Sequence, residues 1–352
     1  MAALVSSSFW SGKRVFLTGH TGFKGSWLAL RLVDLGASVS GYALAPEWTP
    51  NAFELLGIEK KTDSTFADIR DLVRLRNRLA HARADVVFHL AAQPLVRRGY
   101  REPRETFETN VMGTVNLLEV IREQPSIGAV LVVTSDKTYA NRDARPHRED
   151  DPLGGDDPYS ASKACTEIVV DAYRHSYFTS GTRLATARAG NVIGGGDFSE
   201  DRLVPDMVRA SEREEPVALR YPNATRPWQF VGDALDGYLT IVEQLWNDTS
   251  VARAWNLGPS HSEMTVCELA KRFLAVYDSQ TKIVIDSAPA PPEAPYLALD
   301  TSDAQEILGW RPRYDAAGAI DATSAWYRAW REGKDLVEIT LAQLRGAVSS
   351  PR

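Results

Sequence analysis

Tyr159 and Lys163 stand four residues apart, and Ser135, Asp136 and Lys137 form a row ahead of them, the serine 24 positions before the tyrosine. On a helix, Tyr-x-x-x-Lys puts the phenol and the ammonium on one face. That pair suits hydride chemistry, because a tyrosinate accepts the proton of a hydroxyl while a hydride leaves the same carbon. A free phenol titrates at about pH 10, and a neighbouring ammonium favours its anion. Ser135 can donate to the same oxygen. Asp136 and Lys137 set a carboxyl beside an amine, the groups that acid–base work requires. Each signal alone has an ordinary reading. Tyr and Lys fall at this spacing on many helices, and adjacent Asp and Lys often form a solvated ion pair in a loop. The elements around them decide.

Those elements start at Lys13–Gly25, KRVFLTGHTGFKG. Val15, Phe16 and Leu17 read as a short buried strand, and the run SWLALRLVDLG reads as a helix ending at Gly36. Between them Gly19, Gly22 and Gly25 are spaced G-x-x-G-x-x-G. Strand, glycine turn and helix N-terminus make a cradle for a pyrophosphate. This predicts dinucleotide binding, with Thr21, Phe23 and Lys24 in the same turn as further cofactor contacts. Ser38–Leu44 reads as the second strand. The acid that closes this strand in many dinucleotide folds is missing or displaced: Leu44, Ala45 and Pro46 stand there, with Glu47 beyond. The residues alone leave NAD and NADP open. Asp68 and Ile69 are candidates to flank an adenine ring.

Val86–Leu90 reads as another apolar strand, with His89 as a core histidine. It runs into Ala91, Ala92 and Gln93. The small residues Leu90-Ala91-Ala92 let a cofactor lie close, and Gln93 is a candidate substrate contact. Glu102–Gln124 has apolar residues at helical spacing, and Asn110 interrupts that face as a candidate to bond strand backbone near the cofactor. Ala129–Val133 is the next buried strand. It delivers Thr134 to Lys137 to the sheet edge where open parallel sheets bind ligands. Asn141–Gly155 reads as a surface loop long enough to serve as a lid. Asp157 and Pro158 read as the cap and first turn of the helix that carries Tyr159 and Lys163. Leu184–Arg188 adds a strand.

The alternation predicts an α/β fold, a Rossmann-type doubly wound parallel sheet, with a smaller C-terminal α/β substrate-binding domain. The expected division is 1–190, with a return segment about 230–256, for the dinucleotide domain. Residues 191–229 and 257–352 make the substrate domain. Arg188, Asn191 and Arg226 are its anion-binding candidates, since a guanidinium forks onto a diphosphate. Tyr296 and Glu293 are candidates for the base or its ribose, and Trp228 reads either as core or as a base-stacking ring.

Composition sets the class. The chain has 352 residues, is 44% hydrophobic and 24% charged, and carries a net charge of −6. Nothing in that charge points to nucleic acid or a membrane surface. Two cysteines, Cys165 and Cys267, give neither a disulfide framework nor zinc spacing, so no metal is expected. The start has no secretory pattern and no apolar run approaches a membrane span, which predicts a cytoplasmic protein.

Together these parts resemble the extended, sugar-nucleotide branch of the short-chain dehydrogenase/reductase superfamily. The resemblance rests on Gly19-x-x-Gly22-x-x-Gly25, Leu90-Ala91-Ala92, Ser135, Tyr159-x-x-x-Lys163, Arg188-x-x-Asn191 and Leu308-Gly309-Trp310-Arg311-Pro312. Within that branch the chain resembles the CDP-glucose 4,6-dehydratases through the run His20 to Leu28, the run Thr134 to Tyr139, and Arg226-Pro227-Trp228-Gln229-Phe230-Val231. The resemblance implies NAD as cofactor, CDP-glucose as substrate, Lys137 as base and Asp136 as acid in losing water across C5–C6. It also implies a product used for deoxy sugars of cell-surface polysaccharide, such as the O-antigen of lipopolysaccharide. Helices over Glu102–Gln124 and Pro158–His175 have more apolar surface than one sheet face uses, and in this superfamily such a pair forms a four-helix homodimer interface. Two other readings stay open: an epimerase acting at C4 of a sugar nucleotide, which needs no acid–base pair for elimination, and a dinucleotide-sensing protein without turnover, which would not need Tyr159 and Lys163.

Overall fold

The apolar runs become strands whose successive side chains point to opposite faces of one sheet. The computed structural model describes residues 5–140, 145–259, 264–286 and 296–346. Strands β1 (Arg14–Thr18), β2 (Ser38–Ala43), β3 (Asp63–Phe66), β4 (Val86–His89), β5 (Ala129–Val133), β6 (Arg183–Ala189) and β10 (Ala254–Leu257) pair in the order β10-β6-β5-β4-β1-β2-β3. Every neighbouring pair is parallel. This is the Rossmann-type doubly wound sheet that the alternation predicts. Chain order reverses between β1 and β4, and a crevice opens there at the strands' C-terminal ends.

The alternation divides the core. Val15, Leu17, Val86, Phe88, Leu131 and Val133 face one layer; Phe16, Val87, Val130 and Val132 face the other. Helix α1 (Phe23–Asp34) covers the first face. The second is covered by α2 (Leu72–Ala82), by a long broken helix, and by α5 (Pro158–Ser176). The broken helix is α3 (Pro103–Phe107), a π-helical turn (Glu108–Met112) and α4 (Gly113–Arg122). The sequence predicts a plain helix here. The π-turn follows from Asn110, whose carbonyl is taken up by the hydroxyls of Thr114 at 2.7 Å and Thr166 at 3.0 Å.

Beyond β6 the chain forms β7 (Val192–Ile193), α6 (Leu203–Glu212), β8 (Val217–Leu219) and β9 (Gln229–Phe230), with β7 paired to β9. It then returns through α7 (Val231–Leu245) to β10. After β10 come α8 (Val266–Tyr277), β11 (Ile283–Ile285) paired with β8, α9 (Ala316–Arg331) and α10 (Leu336–Leu344). The apolar cluster on the first face runs unbroken from Trp10 through Leu235 and Phe273 to Leu344. The segments after 257 therefore share one core with the sheet.

Candidate active site

The glycine turn follows β1 directly. Gly19 has φ +76°, and a Cβ there would come within 2.6 Å of Ala91 N, just past the end of β4. A Cβ on Gly25 would lie 2.0 Å from Gly19 O, so that glycine lets α1 seat on the turn. Gly22 differs. It caps α1 with φ −76° and ψ 168°, and a Cβ there meets only Gly19 O, at 3.4 Å. Packing does not demand a glycine at 22; a ligand approaching the helix N-terminus does. The cradle thus fits a dinucleotide. Thr21 Oγ1 donates to Leu44 O at 2.8 Å, tying the turn to the end of β2. Lys24 Nζ reaches Tyr238 Oη at 3.4 Å, and burial, with Lys163 and Arg202 nearby, pushes its pKa down to about 7.

The polar residues after β5 are held by local bonds. Ser135 is extended and caps a one-turn helix, Asp136–Thr138, its Oγ accepting from Lys137 N at 3.2 Å and donating to Asp136 Oδ1 at 2.9 Å. Asp136 is buried, and its Oδ2 has no hydrogen-bond partner. Burial raises the Asp136 pKa against the pull of Lys137, Ser135 and Arg226. Helix α5 starts where the sequence predicts, Asp157 accepting from Ser160 N at 3.0 Å. Tyr159 and Lys163 both lie on its buried face. Burial raises the Tyr159 pKa, and the Ser135 hydroxyl opposes that. Lys163 Nζ donates to Val133 O at 3.3 Å, and burial brings its pKa down to about 8.

Ser135, Asp136, Lys137, Tyr159 and Lys163 line one cavity of about 350 Å³. Phe23, Lys24, Leu90 and Ala92 form its wall toward the glycine turn, and Asn191, Arg226 and Trp228 its wall toward the later chain. Trp228 belongs to the core and to this wall at once. Asn110, in the π-turn, accepts from Gln93 N at 2.8 Å and donates to Gln93 O at 3.1 Å, fixing the backbone just past Ala92.

Other candidates go elsewhere. The side chain of Gln93, a candidate substrate contact, turns inward, donating to Thr106 Oγ1 at 2.8 Å and accepting from Leu95 N at 2.6 Å, and does not line the cavity. Arg188, a candidate for the diphosphate, does not line this cavity. Its guanidinium is buried against Glu167 at 2.9 Å, because its side chain leaves the sheet below the strand ends. Tyr296 lines a separate hollow with Pro227, Met264 and Arg272. Glu293 lies outside the described residues. Asp68 pairs with Arg70 at 2.6 Å, which holds its carboxyl below the usual range, and Ile69 packs inward against Gly113. His89 is a core histidine, between Thr18 at 2.7 Å and Thr114 at 3.1 Å. The described part of the expected lid is tied down through His147 and Glu149 to Asn256, and lines none of this cavity.

Three arginines lining this cavity escape sequence reading, Arg97, Arg202 and Arg220. Asp201, at φ +56°, lies 3.7 Å from Arg220 and accepts from Arg97 at 2.8 Å. No spacing signals this, since the end of β8, the short helix Val96–Arg101 and the loop before α6 meet only in the fold.

Comparisons with known proteins agree with this geometry. The family described as GDP-mannose 4,6 dehydratase matches residues 16–323. The CDP-glucose 4,6-dehydratase of Salmonella typhimurium is 43% identical over 343 residues, covering 95% of this chain and 96% of that protein. Two solved structures share the fold. The UDP-glucose 4-epimerase of Thermotoga maritima with UDP-glucose has a TM-score of 0.80 at 22% identity, over 90% of this chain and 99% of that one. The dTDP-glucose 4,6-dehydratase of Streptomyces venezuelae with NAD and TYD bound has a TM-score of 0.78 at 24% identity, over 92% and 99%.

Proposed function

This chain belongs to the sugar-nucleotide 4,6-dehydratase family described as GDP-mannose 4,6 dehydratase, and from that premise we propose that it converts CDP-glucose to CDP-4-dehydro-6-deoxyglucose. The observation that carries the reading is Asp136: a buried carboxyl with a raised pKa and an unpartnered oxygen, in the same cavity as Lys137 and Tyr159. Burial that favours the protonated form of a carboxyl suits it to donate a proton. An epimerase acting at C4 has no use for one beside an amine.

Gly19, Gly22, Gly25, Thr21, Phe23 and Lys24 would hold NAD, with Leu90, Ala91, Ala92, Lys163 and the Asp68–Ile69 backbone region. NAD, when bound, supplies a hydride acceptor at C4 and a positively charged ring beside the phenol. Tyr159 takes the C4 hydroxyl proton, with Ser135 donating to the same oxygen and Lys163 lending positive charge. With C4 a ketone, Lys137 removes the acidified C5 proton and Asp136 protonates the departing C6 hydroxyl, which leaves as water. With NAD bound, the hydride taken from C4 would be given back to C6 as C5 is reprotonated, so no net oxidation would occur. Arg226, Arg202 and Arg220, with Asn191, offer donors to the substrate diphosphate.

Further parts of this reading are a cytoplasmic homodimer, joined through the helices over 103–122 and 158–176, and a product destined for deoxy sugars of surface polysaccharide. Supporting the dimer, Phe107, Met112 and Ile168 stand 37%, 51% and 57% exposed on those helices. The test is incubation with CDP-, dTDP- and UDP-glucose separately. A 4-keto-6-deoxy product from the CDP sugar, with deuterium moved from C4 to C6 and solvent hydrogen at C5, is expected. A C4 epimer that keeps its C6 oxygen would overturn the proposal.

A further inference from the structure

We propose that the buried Glu167–Arg188 ion pair is a positioning clamp, gripping Thr134 and Tyr139 at the two ends of the Ser135–Thr138 segment and so aiming Asp136 and Lys137. The inference rests on the dehydratase reading above. Thr134 Oγ1 donates to Glu167 Oε1 at the near end. At the far end, Arg188 donates through NH1 to Tyr139 Oη at 2.7 Å. The arginine and the carboxylate close the circuit at 2.9 Å. The segment between has few bonds within itself, Thr138 N to Ser135 O at 3.3 Å and those of the Ser135 hydroxyl, and one main-chain bond outward, Gly154 N to Thr138 O at 2.9 Å.

The clamp is referenced to the scaffold on every side. Glu167 sits one turn after Lys163 on α5, so one carboxylate anchors both the Tyr–Lys helix and the acid–base segment. Thr186 Oγ1 on β6 donates to Glu167 Oε2 at 2.8 Å. Tyr139 Oη donates onward to Asn256 Oδ1 on β10 at 2.6 Å, and its ring stacks on His147 at 4.7 Å. Arg188 NH1 also reaches Glu149 O at 2.9 Å. Glu167, Arg188 and Tyr139 do not line the cavity, so they act through Asp136 and Lys137 rather than on substrate. A buried ion pair adds little to stability over apolar packing. What it offers is direction: its bonds fix where both ends of a short turn must lie.

Tyr139→Phe removes one grip and keeps the ring. Glu167→Gln, and Arg188→Lys beside Arg188→Met, cut the pair itself. In single turnover with CDP-glucose, transient NADH reports oxidation at C4, and the 4-keto-6-deoxy product reports loss of water. Tyr139→Phe is expected to keep KM and the rate of NADH formation while slowing water loss roughly tenfold, the cost of a modest misplacement. NADH then accumulates. Arg188→Lys recovers water loss relative to Arg188→Met. Equal slowing of both steps in Tyr139→Phe and Glu167→Gln, or unchanged water loss in both, would overturn the clamp. If the unaltered protein yields no 4-keto-6-deoxy product, the dehydratase reading itself fails instead.

Discussion

At the scale of single residues, burial sorts the polar groups. Asp136 is buried with one oxygen unpaired, and its raised pKa suits a proton donor. Asp136→Asn keeps the shape and removes the acid. It is expected to retain NADH formation and lower product formation about 100- to 10,000-fold, the usual worth of a positioned acid; product at the original rate would remove Asp136 from that role. Lys24 carries a second prediction. Its pKa falls from 10.5 to about 7, chiefly through burial. Between those values the unfolded chain holds a proton that the folded chain lacks, so the folded state gains stability as pH rises from about 7. Lys24→Met is therefore most stabilising below pH 7, and its advantage shrinks toward pH 10. Melting temperatures of ligand-free protein across that range check this, and a pH-independent difference would contradict it. The same sorting explains where sequence reading stopped. Arg188 and Gln93 are polar residues close to strand ends, which is where ligands sit. Their side chains instead enter buried networks with Glu167 and Thr106. Linear spacing carries no information on that depth.

At the scale of elements, the cradle and the Tyr–Lys helix were legible because each has a short local signature: three glycines after an apolar run, and an Asp–Pro cap before an i,i+4 pair. The last two of these glycines make separable predictions. Gly22→Ala meets only one atom, at 3.4 Å, and should cost about 1 kcal/mol or less of stability as a helix cap. Its effect should fall on NAD affinity, read by direct titration. Gly25→Ala drives a Cβ to 2.0 Å from Gly19 O and should destabilise by roughly 1–3 kcal/mol or more in urea unfolding. Equal effects of the two on both readouts would refute the division of labour. The π-turn was half legible. Asn110 stood out as polar on an apolar face, but the extra residue in the turn depends on Thr166, which is 56 residues away in sequence.

At the scale of the whole molecule, the periodicity revealed the sheet but not how the later chain docks. Arg345 pairs with Asp34, and Trp326 packs where a Cβ on Gly195 would stand. The first contact joins the end of α10 to α1 and the second joins α9 to the loop after β7, and no local pattern announces them. The exposed Met112 and Ile168 bear on the proposed dimer. A double change, Met112→Glu with Ile168→Glu, is expected to turn a dimer into a monomer in sedimentation, with little loss of fold since both side chains are exposed; a dimer that survives would move the interface elsewhere. The sheet has one more consequence. Its last strand, β10, arrives some 65 residues after β6 and supplies Asn256, the partner of Tyr139. A nascent chain emerging from a ribosome therefore has a bare β6 edge through all of that interval, a template for pairing with other chains. Premature termination anywhere before 254 should yield aggregates rather than a smaller soluble enzyme.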